Sequence, residues 1–238
     1  MIRKLAQGFL NGLGYELRRT QTAGFKASYL AKICQPKTVI DVGVAHGTYP
    51  LYEAYPEARF ILVEPLIDYS ESIATIANRY NCEIHYKAVG ERVCELEINV
   101  DSGRLTRSSL MDRSALSTTG NTLEKRVIEV TTLDTIYAES SAMEGPIVLK
   151  IDTEGYELPA LLGARSLLGA VDFVIAEVSI AQRFENGYQF EDFIAYMREN
   201  GFQVFSLLKV SHRRDEAQTR HADIVFKRPS GKAGFDLT

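Results

Sequence analysis

Residues 38–43 read TVIDVG, an apolar, β-branched run that stops at a glycine. Continuous apolar character without alternation predicts a strand buried on both faces, as in a parallel sheet. The same grammar recurs along the chain. RFILVEP (59–65), CEIHYKAVG (82–90), IVLKID (147–152) and VDFVIAEVS (171–179) read as further strands. Helical patterns lie between them, over YPLYEAYPEA (49–58), IDYSESIATIANRY (67–80), ELPALLGARSLL (157–168) and FEDFIAYMRENG (190–201). CELEINV (94–100) and RVIEVTTL (126–133) alternate apolar and polar residues, as an inserted hairpin would. FQVFSLLK (202–209) and ADIVFKR (222–228) read as a closing antiparallel pair. Strands alternating with helices define an α/β fold: a doubly wound, mostly parallel, seven-stranded sheet with helices on both faces. To this are added the C-terminal pair and a hairpin with a lid.

Composition is ordinary for a soluble globular protein, at 45% hydrophobic and 24% charged, and 238 residues suffice for one large domain. The net charge of -4 gives no reason to expect nucleic-acid binding. Residues 1–37 carry seven basic residues against Glu16, however, so this segment is +6 and the remainder -10. Its apolar positions Ile2, Leu5, Phe9, Leu10, Leu13 and Leu17 follow a helical period. A basic N-terminal helical extension is expected at 1–37, packing on the body or on a second copy, which makes it a candidate for homo-oligomer formation. The main domain is expected at 38–228, with a flexible tail at 229–238. Three cysteines without CxxC spacing fit a reducing compartment. No apolar run approaches membrane-spanning length, so the expectation is a cytoplasmic protein without stable membrane insertion.

In a doubly wound sheet, ligands bind outside the carboxyl ends of the strands. In DVGVAHGTY (41–49), Gly43 and Gly47 allow backbone to approach a ligand, and His46 sits in the same turn. The spacing is neither GxxxxGK[ST] nor GxGxxG. Asp41 would repel the pyrophosphate of a dinucleotide but suits a cationic ligand such as S-adenosylmethionine, with its ammonium and sulfonium. At VEP (63–65), Glu64, followed by Pro65, can accept two ribose hydroxyls. Ala88 and Val89 offer a small apolar surface to adenine.

VIDVGVAHGTY (39–49), FILVEP (60–65), YKAVGE (86–91), SSL (108–110), VTTLDTI (130–136), VLKIDTEGYELPALLGA (148–164) and VIAEVS (174–179), in that order, resemble the FkbM-type methyltransferases. The resemblance covers roughly 38–228 and implies a class I S-adenosylmethionine-dependent enzyme that methylates hydroxyls on sugars, polyketides and related metabolites. It also implies contact of Ser109 with cofactor or substrate.

On that reading, the strand IVLKID ends beside the transferred methyl group. A carboxylate in a partly dry cleft can take the hydroxyl proton. Asp152 is the first candidate for base or substrate anchor, Glu154 the second, and Glu177 a candidate for binding substrate hydroxyls. Glu157 is expected to complement the dipole of the next helix. Lys150, in a central strand, requires an acid partner. Three converging acids could hold a divalent metal, but Asp-x-Glu with a distant Glu is a weak metal motif, and no metal is favoured. The expected partner is a small molecule, a sugar or glycoconjugate; Arg104, Arg107 and Arg113 leave room for an acidic one. Residues 102–122, rich in Ser, Thr and Arg, are expected to close as a lid. The competing readings are a nicotinamide-dependent oxidoreductase on a related sheet and a cofactor-binding scaffold without catalysis.

Overall fold

The structure, a computed structural model, describes residues 24–114, 123–212 and 218–229. The expected N-terminal helix over 2–18 lies outside the described residues, as do residues 115–122 of the lid and all but the first residue of the tail. Helix α1 (Ala27–Ile33) leads into β1 (Thr38–Val42), α2 (Tyr49–Ala54) and β2 (Arg59–Val63). A 3₁₀ turn (Ile67–Tyr69) precedes α3 (Ser70–Ala77) and β3 (Asn81–His85). Then come β4 (Ala88–Val89), β5 (Cys94–Asp101), a second 3₁₀ turn (Leu105–Arg107), β6 (Leu123–Thr131) and α4 (Leu133–Glu139). The chain continues through β7 (Ile147–Ile151), α5 (Glu157–Leu162), α6 (Arg165–Ala170) and β8 (Phe173–Ser179). It closes with α7 (Phe190–Glu199), β9 (Gln203–His212) and β10 (Thr219–Lys227).

Seven strands form the main sheet in the order β3-β2-β1-β7-β8-β10-β9. Neighbours from β3 to β8 pair in parallel, whereas β10 is antiparallel to both β8 and β9, so the sheet is mostly parallel but mixed. The strand order reverses at β1, between β2 and β7, which opens the crevice where such sheets bind ligands. Every residue of β1 and β7 is buried, the charged Asp41 and Lys150 among their apolar neighbours included. Alternate side chains serve two cores. Ile40, Val42, Leu149 and Ile151 pack under α4 to α7, and Val39, Phe60, Leu62 and Val148 pack under α1 to α3. Truncating any one of them to Ala would cost roughly 2–5 kcal/mol where the cavity cannot collapse.

Three sequence expectations change. The strand over 82–90 divides. Asn81–His85 forms the edge of the main sheet, and Ala88–Val89 pairs with β6 in a separate sheet of order β4-β6-β5. The backbone changes partner between two diverging sheets, and a change of partner leaves no mark in an apolar pattern. The helix over 157–168 breaks at Gly163, where an added Cβ would lie 2.1 Å from the carbonyl of Gly90. A helix not anticipated, α4, is capped at its start by Thr132, whose hydroxyl accepts from Thr135 N. The inserted hairpin forms as expected, β5 and β6 pairing antiparallel from Cys94↔Val130 to Asp101↔Leu123. No helix among the described residues is long and apolar enough to cross a membrane.

Candidate active site

The carboxyl ends of β1 and β7 are tied together at the glycine turn. Gly43 has φ +75°, and a Cβ there would lie 1.8 Å from the Asp152 carbonyl oxygen. Only glycine allows the two backbones this close. Asp152 N donates to Val42 O at 3.1 Å, extending the pairing to the strand ends.

The register aligns Asp41 with Lys150, and the two form a buried ion pair, Nζ to Oδ1, at 3.0 Å. Lys150 also donates to the carbonyls of Val42 (3.2 Å) and Gly43 (2.8 Å), and Tyr52 OH donates to Asp41 Oδ2 at 2.5 Å. Burial would lower the Lys150 pKa, but Asp41, with Asp152 and Glu64, holds it above the ordinary lysine value. Asp41 is therefore not where the sequence reading placed it. It is fully buried and does not line the cavity, because its side chain points along the same face as Val39, toward α2.

The acids of LKIDTEGYE separate into distinct roles. Glu157 is buried at the first position of α5, and its Oε1 accepts from Thr153 N (2.9 Å) and Gly155 N (3.0 Å). Its Oε2 accepts from Tyr188 OH at 2.9 Å. It thus ties down the preceding loop, beyond complementing a dipole. In that loop Glu154 takes φ +51°, an uncommon conformation for a residue with a side chain. Its Oε2 bridges Arg183 (2.7 Å) and Arg113 (3.2 Å). Glu154 thus ties together the segments that carry the two guanidiniums. Glu177 also fails to line the cavity. Arg183 Nη1 lies 2.6 Å from its Oε1 and His221 Nε2 3.3 Å from its Oε2. Burial, with Asp152 beside it, holds the Glu177 pKa well above the ordinary value. Asp152 remains. Its side chain is 38% exposed at the cavity wall, with Lys150 Nζ 3.9 Å away, a wetter setting than the partly dry cleft expected.

The cavity measures about 540 Å³, within the range of small-molecule sites. At its β1–β2 end it is lined by Gly43, His46, Gly47, Glu64 and Pro65, with Ala88 and Val89 beside them. Glu64 accepts from Ala45 N (2.9 Å) and Leu66 N (3.0 Å), one bond per oxygen, which leaves each oxygen a second lone pair. Burial pushes its pKa up to about 7, and the two N–H groups offset part of the rise. The His46 ring stands edge-on to Tyr69 with Nδ1 3.3 Å from Ser72 Oγ. Ser109 lines the cavity, but its hydroxyl donates to Glu154 O (2.6 Å) and accepts from Met111 N (3.0 Å), pinning the loop after β5. At the β7–β10 end the cavity is lined by Asp152, Glu154, Arg183, Arg220 and His221. The sequence reading missed Arg183 and His221. Arg183 lies just past the carboxyl end of β8, and its position at a strand end was the only available signal. Among the described residues no three His, Cys, Asp or Glu side chains are grouped to hold a metal ion.

A doubly wound α/β protein with a ligand cavity at the carboxyl ends of its central strands is the class that this geometry defines. The sequence matches the methyltransferase FkbM domain over residues 41–204, and the chain belongs to that family. It is an S-adenosylmethionine-dependent methyltransferase. No curated protein matched the sequence. Its fold is similar to magnesium protoporphyrin IX methyltransferase of Synechocystis PCC 6803, solved with bound S-adenosylmethionine, at 10% identity and TM-score 0.45, over 96% of this chain and 82% of that one. It is also similar to an O-methyltransferase family protein from Burkholderia thailandensis, at 13% identity and TM-score 0.46, over 87% and 56% of the two chains.

Proposed function

We propose that the chain methylates a hydroxyl oxygen of a sugar or related small metabolite, with Asp152 accepting the hydroxyl proton. The observation that carries this reading is the division of labour among the acids. Asp41, Glu154, Glu157 and Glu177 are each held by specific donors or cations, while Asp152 faces the cavity as the most exposed of the five.

The residues at the β1–β2 end fit the cofactor. The remaining lone pairs of Glu64 suit two ribose hydroxyls, Ala88 and Val89 an adenine face, and the turn from Gly43 to Gly47, with His46 and Pro65, close backbone approach. Two acids and one ammonium, Asp41, Lys150 and Asp152, leave one formal negative charge beside that turn, which favours a cationic ligand. When bound, S-adenosylmethionine supplies a methyl group on a sulfonium centre, open to displacement by an aligned nucleophile. Asp152 orients the acceptor hydroxyl and takes its proton. The loop carrying Arg113 and Ser109 is fastened over the cavity through Glu154, which helps exclude water. Positioning of this kind can supply part of the roughly 7–11 kcal/mol available from orientation.

The test is Asp152→Asn. Its affinity for S-adenosylhomocysteine should stay within a few-fold of wild type. Release of that product over a panel of sugar acceptors should fall about 10²- to 10⁴-fold. Undiminished turnover would remove Asp152 as base. At about 100 times its dissociation constant the cofactor should add roughly 2.7 kcal/mol of stability. A comparable thermal shift with NAD instead would favour the oxidoreductase reading.

A further inference from the structure

The outer edge of the main sheet carries apolar surface that is left open among the described residues. β9 is the outermost strand, and Val204, Phe205 and Leu207 are each about half exposed along it. Pairing sets Val204 opposite Phe226 and Leu207 opposite Ile224, on the side of the sheet packed by α7. Phe205 takes the other side, its ring centroid 6.3 Å from that of Phe173. Lys227 lays its ammonium over both of these rings, 5.4 Å from each centroid, and among the described residues no acid pairs with it.

A long apolar edge strand is an association hazard unless something covers it. Another strand is a poor cover for this one. The register between β9 and β10 shifts at Asp223/Ile224 and again at Val225/Phe226, and a bulged, twisted edge is a weak template for further pairing. A helix leaning on the edge meets side chains from both sides of the sheet and needs no regular ladder.

Residues 2–18 have the pattern for such a helix. At 3.6 residues per turn Ile2, Leu5, Phe9, Leu13 and Leu17 share one side, with Lys4, Asn11 and Arg18 opposite. Glu16, the single acid of residues 1–23, falls inside the apolar stripe, between the directions of Leu5 and Phe9. An acid in that place has its complement in Lys227, set among the rings at the sheet edge.

The chain also enters close by. Cys34, at the end of α1, is pushed up to about 11 by burial and by Asp172, with Lys227 lowering it in part, so α1 ends near the same corner. The seven residues of α1 span about 10 Å, and residues 19–23 reach up to about 17 Å further. A helix over 2–18 is about 25 Å long, against about 34 Å for the ten residues of β9.

We infer that residues 2–18 dock on their own chain as an amphipathic helix along the outer edge of β9, with the apolar stripe on Val204, Phe205 and Leu207 and Glu16 paired to Lys227. The test is amide hydrogen exchange, read by mass spectrometry on the full chain. Peptides covering 2–18 and 203–208 should both be protected, to the same extent over a roughly hundredfold range of protein concentration. Leu13→Asp should speed exchange in both peptides by about tenfold or more, and Lys4→Glu, on the opposite side, in neither. Glu16→Lys and Lys227→Glu should each speed it by about threefold or more, and the double variant should recover most of that loss. The charge swap decides the matter by itself should Leu13→Asp fail to fold. Unprotected peptides, an edge whose exchange is the same in every variant, or single charge variants that the double does not rescue would overturn the inference. So would protection of 203–208 that grows with protein concentration, which marks a second copy. Protection that appears only with vesicles of phosphatidylcholine and phosphatidylglycerol would overturn it in favour of a membrane surface.

Discussion

Replacing Lys150 by Met keeps the length of the side chain and removes its charge. Asp41, with no exposure to solvent, would keep the hydrogen bond from Tyr52 but lose its cation. Breaking a buried pair from one side costs roughly 3–5 kcal/mol, because the remaining charge is stranded. The carbonyls of Val42 and Gly43 lose a donor as well, so the upper half of that range is expected. At about 2–4 °C per kcal/mol for a domain of this size, the melting temperature should fall by about 8–20 °C. Urea unfolding followed by circular dichroism at pH 7.5 measures the free energy directly. Because the folded pKa of Lys150 is held above its unfolded value, the stabilisation is fully present at that pH and is lost only as pH rises through the folded value in the alkaline range. The double variant Asp41→Asn with Lys150→Met removes both charges and should recover at least about 2 kcal/mol relative to Lys150→Met alone. A single variant within about 1 kcal/mol of wild type, or a double variant no better than the single, would refute the account of the pair.

Two other perturbations test the cofactor end. Gly43→Ala forces a side chain into φ +75° and into the Asp152 carbonyl, so it should cost more than the roughly 1–2 kcal/mol of the left-handed conformation and abolish binding of S-adenosylhomocysteine. Gly169→Ala, where an added Cβ meets nothing within 4 Å, should change stability by less than about 1 kcal/mol, and urea titration distinguishes the two. Glu64, raised to about 7, penalises the folded state as pH climbs from about 4.5 through 7, so its contribution to stability falls over that window and then levels off. Hydroxyl donors favour its ionised form. Affinity for S-adenosylhomocysteine should therefore rise from about pH 6 to pH 8, with proton release visible in calorimetry run in two buffers. Glu64→Gln should flatten that dependence and weaken binding at pH 8.

Legibility from sequence followed physical range. The runs at 38–42 and 147–151, apolar but for Thr38, Asp41 and Lys150, point to burial on both faces, and burial on both faces requires helices above and below a parallel sheet. From that the edge bearing Gly43, Glu64, Ala88 and Asp152 could be named, because in such sheets ligands gather at the strand ends whatever the chemistry. The hairpin was equally plain, since two-residue alternation is a local signal. The division of 82–90 between two sheets was not, because Ala88–Val89 looks equally apolar against β6 or β2.

What the sequence by itself determined was that acids would meet at one edge of a doubly wound sheet. Which of them stays available was decided by tertiary structure alone. Asp41 and Glu177 looked as accessible as Asp152 by their place at strand ends, yet each faces a cation, Lys150 brought from a distant strand for one and Arg183 folded back from the loop after the same strand for the other. Glu154, two residues from Asp152, is turned between Arg113 and Arg183 by a loop that Glu157 holds in place. Pairings of this kind have no period in the chain. They follow from which strands become neighbours, and a buried charge retains its ionised form only where the fold delivers its partner.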